Sequence, residues 1–160
     1  MFHRLSQFRK EYNNMAVEYS YAPLQTVAEG KNILFFDEDI ACRKGFVTHR
    51  NGSGIFRLKA ANNACKTIYR VTFNANIAVT TGGTVGPISV ALQEDGETIG
   101  SAVAVVSPTA AEAFFNVSFS TFIIIPCGCC VTISVENTSE GTATDVTNAK
   151  IIIDRIERVA

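Results

Sequence analysis

The sequence predicts an all-β chain built as an antiparallel sandwich or barrel. Three observations lead there. Val, Ile and Thr each occur fifteen times, against five Leu. Such β-branched residues suit a pleated, half-buried surface and lose rotamer freedom in helices. Apolar and polar residues alternate over several stretches, which is the period of a strand with one buried face. Gly-, Asn-, Asp- or Pro-bearing turns separate those stretches. A length of 160 residues suits one domain with a proper core and a short appendage.

In chain order, residues 1–20 stand apart from 21–160. Leu5, Phe8, Tyr12, Met15 and Tyr19 recur at intervals of 3, 4, 3 and 4. That is an apolar seam with Arg4, Arg9, Lys10, Glu11 and Glu18 mostly off it, as in a short helix. Asn13 and Asn14 weaken the helix, and a helix this short needs a partner in water. The segment is therefore a helical or extended docking arm, or else a terminal tail.

From Tyr21 the strands follow. NILFFD is a short extended start. FVTHR and IFRLKA flank NGSG as a hairpin, with Asn51-Gly52 able to take positive φ. Thr67–Val79 places Tyr69, Val71, Phe73, Ala75, Ile77 and Val79 on one face and Arg70, Thr72, Asn74 and Asn76 on the other. Residues 80–87 form a loop. PISVALQ aligns Ile88, Val90 and Leu92, and Asp95-Gly96 turns into ETIGSAVAVV. FFNVSFSTFIII points Phe115, Val117, Phe119, Ile123 and Ile125 inward. PCG turns into CCVTISVEN, a polar loop follows, and VTNAKIIIDRIERV is the last strand.

The formal net charge of -1 offers nucleic acid no electrostatic lure. No apolar run reaches the roughly 18 residues of a membrane span, so no membrane partner is expected. The N-terminus lacks the apolar core of a signal peptide, and synthesis in a host cytoplasm is expected.

This order of elements resembles the ten-strand jelly roll of tumour necrosis factor and complement-type globular heads. The residues that carry the resemblance are NILFFD, the Gly-rich hairpin, the long strand with Tyr69 and Phe73, the aromatic strand AFFNVSFSTFIII and the terminal NAKIIIDRI. Small phage virion and bacterial surface proteins of this type are similar as well. The resemblance spans about residues 21–160. It implies a homotrimer packed through the outer surface of the sheet that holds both termini.

The residues support such packing independently. Phe114 and Phe122 fall on the face opposite the core of the aromatic strand. Ile152 and Ile156 are outward on the last strand, where Ala149, Ile151 and Ile153 point inward, and Ile68 is outward on the long strand. Large apolar groups left outside a core on three strands mark a partner surface.

The jelly-roll order brings all five cysteines, Cys42, Cys65, Cys127, Cys129 and Cys130, to the end that bears the termini. Buried thiols, disulfides such as Cys65 to Cys127 or Cys129, and a zinc site stay open there. Cys-x-Cys-Cys is not the zinc-ribbon knuckle, and His3 and His49 lie elsewhere in the sequence. Within PCGCCVT, alternation directs Cys129 inward with Val131, Ile133 and Val135, and Cys130 outward.

No other constellation points to chemistry. Asp37, Glu38 and Asp39 diverge along a strand and suit a solvated edge better than calcium. Gly82-Gly83 precedes no helix and cradles no phosphate. Asn116-Val117-Ser118 and Asn137-Thr138-Ser139 match a glycosylation pattern that acts only in secreted chains. No enzyme, cofactor or metal is expected. The reading is a trimeric structural virion protein, a head decoration, head fibre or collar piece. Its arm would dock on the major capsid protein or another virion protein. The alternatives are a receptor- or cell-surface-glycan-binding tip of a tail fibre, and a bacterial surface or spore-coat protein.

Overall fold

The computed structural model describes residues 16–42, 45–61, 66–128 and 130–159. Among the described residues every regular element is a strand. They run β1 (Ala16–Tyr21), β2 (Gln25–Val27), β3 (Asp37–Ile40), β4 (Val47–His49), β5 (Phe56–Lys59) and β6 (Lys66–Val79). Then come β7 (Ile88–Glu94), β8 (Glu97–Val106), β9 (Phe115–Pro126), β10 (Cys130–Asn137) and β11 (Thr144–Val159).

Two antiparallel sheets face each other. The first has the order β3-β1-β11-β6-β9, with β2 also paired to β11; the second has the order β4-β5-β10-β7-β8. Most neighbours in the sheets are distant in sequence, as in a jelly roll, while β4–β5 and β7–β8 are adjacent in the chain. Along one side of the sandwich β8 lies against β9. Along the other lie the edge strands β3 and β4, which are not paired with each other among the described residues.

The core is the sum of the inward faces. Tyr69, Val71, Phe73, Ala75 and Ile77 of β6 are fully buried, as are Ile151 and Ile153 of β11 and Ile88, Val90 and Leu92 of β7. These are the residues that alternation marks as inward, and their burial is what drives the two sheets together. Ile33 and Phe35 are buried too, although their segment makes only one isolated bridge, Asn32 to Glu136.

Three expectations need correction. The arm does not reach residue 20. Residues 16–21 form β1, and Tyr19, assigned by its spacing to the arm, is 3% exposed in the core. The period of 2 wins there because β11 supplies a continuous ladder from Ala16↔Asp154 to Tyr21↔Ala149, and a helix would forfeit it. The sandwich thus begins at Ala16 and not at Tyr21. Leu5, Phe8, Tyr12 and Met15 lie outside the described residues. Among the described residues the strands number eleven where ten were expected, the short β2 forming separately on β11. Finally, Phe115 points inward by parity but is largely exposed. It opens β9, an edge strand paired only with β6 in its sheet, and stays 44% exposed there.

Candidate assembly interface

The outer face of the first sheet divides into an apolar half and a polar half. Cross-strand register fixes the division. Toward the chain's C-terminal end, Ile124 pairs with Ile68, and Ile68 with Glu157. One row further, Phe122 pairs with Arg70, and Arg70 with Asp154. Ile156 lies in the register shift between Arg155 and Glu157, where one extra residue bulges from β11. Phe122 is 62% exposed and Ile124 is 55% exposed; Ile156 is exposed and Ile68 partly so. Ile152 is half-buried beside Glu18 and Thr72.

Four of the five residues singled out by sequence therefore share one area. Phe114 does not. It is exposed, but it stands eight residues before Phe122 on the same face, which at strand rise is about 26 Å. Ile124 escaped the sequence reading. It has the same parity as Phe122, but the unbroken run Phe122–Ile125 hides the alternation that would expose it.

Two ion pairs cross this face. Arg70 Nη2 meets Asp154 Oδ2 at 3.1 Å, and Lys150 Nζ meets Glu18 Oε1 at 2.8 Å. The Glu18 carboxylate raises the Lys150 pKa, chiefly through that hydrogen bond. The polar half is a row of amides. Asn116 exchanges hydrogen bonds with Asn74 at 3.2 Å and donates to Asn76 Oδ1 at 3.0 Å, and Asn76 donates to Asn148 Oδ1 at 3.2 Å. Asn148 takes φ +53° in the β11 register shift between Thr147 and Lys150, which turns its amide onto that row. Thr72 and Ser120 share a hydrogen bond between the two halves.

The cysteine end is partly described. Pro126 pairs with Lys66, and Lys66 with Val159, so the Cys127-Gly128 turn lies where the last strand ends. Cys130 pairs with Lys59, and its Sγ accepts a hydrogen bond from Arg57 Nη2 at 2.9 Å on the outer face of the second sheet. Val131, Ile133 and Val135 are buried beneath it. Cys42 follows β3 toward the same end, and its Sγ accepts the Val47 N–H at 3.5 Å. Cys65 and Cys129, and with them the expected bridges, lie outside the described residues. Among the described residues no three His, Cys, Asp or Glu side chains are grouped to hold a metal. Asp37, Glu38 and Asp39 form the exposed edge strand β3. Asn137 is buried, and its amide donates to the carbonyls of Val27 and Thr142.

No family model matches the chain, and no curated protein matches it. Solved structures do. The globular domain of a zebrafish complement 1qA protein superposes with a TM-score of 0.60 and 11% identity, covering 89% of this chain and 98% of that one. Eiger TNF from S. frugiperda gives a TM-score of 0.62 and 12% identity, covering 91% and 94%. Murine APRIL gives 0.59 and 10% identity, covering 87% and 98%. Identities this low speak to architecture alone. The chain has the jelly-roll fold of the TNF and complement-head domains.

Proposed function

We propose that the chain is a non-catalytic structural module that works as a homotrimer, assembled through the outer face of the first sheet. One observation carries this reading: Phe122, Ile124, Ile68 and Ile156 form a contiguous exposed apolar area on three adjacent strands. Isolated exposed hydrophobes are ordinary, but a patch shared by three strands marks a partner. Covering the Phe122 and Ile124 side chains would contribute about 1–2 kcal/mol each.

The edge beside the patch supports the same reading. β9 runs Phe115–Pro126 without one charged residue, and it is the last strand of its sheet. Exposed edges are normally blunted by charge, bulge or brevity. Although β8 lies against this strand, its long uncharged outer face next to an apolar area suits a neighbouring copy. An edge seated on a neighbour's face is a head-to-tail contact, which closes into a ring when the rotation between copies closes.

The setting we propose is a virion surface, as a head decoration, head fibre or collar component. β1 starts at the apolar half of the face, since Ala16 pairs with Asp154. The amphipathic sequence of residues 1–15 fits a docking arm to the capsid or another virion protein. Deleting residues 1–15 should then leave the assembly intact and remove the protein from purified particles, read by quantitative mass spectrometry of those particles. Full occupancy of the truncated protein would remove the docking role.

One observation favours a second reading, a glycan-binding tip. Exposed Phe114 stands two residues before Asn116, which shares an amide row with Asn76 and Asn148, and a ring near planar amides suits a sugar face and its vicinal hydroxyls. Glycan-array binding lost on Phe114→Ala and Asn116→Ala would establish it in place of the first.

A further inference from the structure

The side of the sandwich between β3 and β4 holds a recess of about 200 Å³. It is lined by Tyr19, Phe36, Asp37, Glu38, His49 and Asn51. Three rings form its walls, and each is held in place. His49 stacks on Phe56 at 4.3 Å and 15°, and meets Tyr19 at 4.6 Å. Its Nε2 donates to the Ser53 carbonyl at 2.7 Å, which fixes the ring's rotation. Phe36 packs on Tyr21 at 4.6 Å. Its other side rests on Gly52, where a Cβ would come within 2.8 Å of the ring. The Gly52 N–H donates to the Phe35 carbonyl at 3.0 Å, so turn and wall move together. The walls are set before any ligand arrives.

The rim is acidic. Asp37 and Glu38 are exposed, and Asp39 follows on the same edge strand. Glu38 Oε1 accepts the Tyr19 hydroxyl at 3.5 Å. Among the described residues no lysine or arginine lines the recess. Burial first, and the Glu38 carboxylate next, push the Tyr19 pKa up to about 12. Ring faces attract cations, and carboxylates at the mouth add to that attraction. An anion would meet repulsion, and a neutral apolar group would leave the carboxylates unused.

We propose that this recess is a binding site for one cationic side chain, arginine or lysine, presented by an extended segment of a partner polypeptide. The volume admits a single guanidinium or ammonium group with part of its stem. Arginine fits better, because its planar head stacks on rings and pairs with a carboxylate at once. β3 is the edge of its sheet, so its outer backbone groups are available for an added strand. Three carboxylates in a row along that edge complement a basic segment. The site lies on the side of the sandwich away from β9 and does not depend on the trimer.

Nα-acetylarginine methylamide titrated into the full-length protein tests this, followed by amide chemical shifts. Nα-acetylcitrulline methylamide, the same shape without charge, is the control. Saturable shifts should centre on Phe36, Glu38, His49 and Gly52, with citrulline about tenfold weaker. Glu38→Gln and Phe36→Leu should each weaken arginine binding severalfold while the remaining spectrum keeps its dispersion. Equal binding of citrulline, shifts centred elsewhere, or unchanged affinity in both variants would overturn the proposal.

Discussion

Single residues decide the side of the sandwich between β3 and β4. Gly52 has φ +78° and touches the Phe36 ring; Gly96 has φ +84° and nothing near the position of a Cβ. Gly96→Ala should cost only the conformational penalty, about 1–2 kcal/mol. Gly52→Ala should cost more and displace Phe36, seen as a larger drop in thermal midpoint. Equal losses would mean that the ring yields freely. The sequence announced Gly52 through Asn51-Gly52, but not what packs on it, because Phe36 comes from the segment before β3. Tyr19 and Tyr69 carry a pH dependence. Burial is the first cause of raising each hydroxyl from 10.0 to about 12. Tyr69 donates to the Lys59 carbonyl, and Tyr19 to Glu38. The folded state keeps protons that the unfolded chain releases at about pH 10. The stabilisation is whole below that pH and is lost as pH rises toward 12. The urea midpoint should fall across this window, and Tyr19→Phe should flatten part of the fall. An identical fall in Tyr19→Phe would exclude Tyr19 as a source.

At the scale of elements, β1 shows where local reading fails. Its intervals of 3 and 4 continue a helical seam through Tyr19, while Val17 and Tyr19 also alternate with Glu18 and Ser20. Ladders to β11 on one side and β3 on the other decide for strand, and neither partner is near in sequence. The long β6 posed no such conflict, because fourteen residues of clean alternation outweigh any helical register. The same strand logic found Phe122, Ile152 and Ile68 but missed Ile124 in its apolar run. It also missed the Asn148 bulge, since only the neighbouring strand reveals that a residue is extra. Removing residues 1–15 should leave the far-ultraviolet spectrum and cooperative unfolding intact. Removing residues 1–21 should abolish both, because β3 then loses its partner and β11 an edge. A folded protein from the longer deletion would mean that β1 is dispensable.

For the whole molecule, the apolar half-face and the uncharged β9 edge support the proposal that the chain works as a trimer. The Arg70–Asp154 pair sits beside Phe122 and would be drawn into the same contact, where it favours one register of packing over others. Phe122→Asp places a charge at each seam and should separate the copies without unfolding them, because Phe122 is 62% exposed in the single chain. Sedimentation velocity at micromolar concentration is the direct measurement. The wild-type protein should sediment at three times the 17.3 kDa chain mass, and Phe122→Asp as a folded monomer. A wild-type protein that stays at 17.3 kDa across that range would contradict the account.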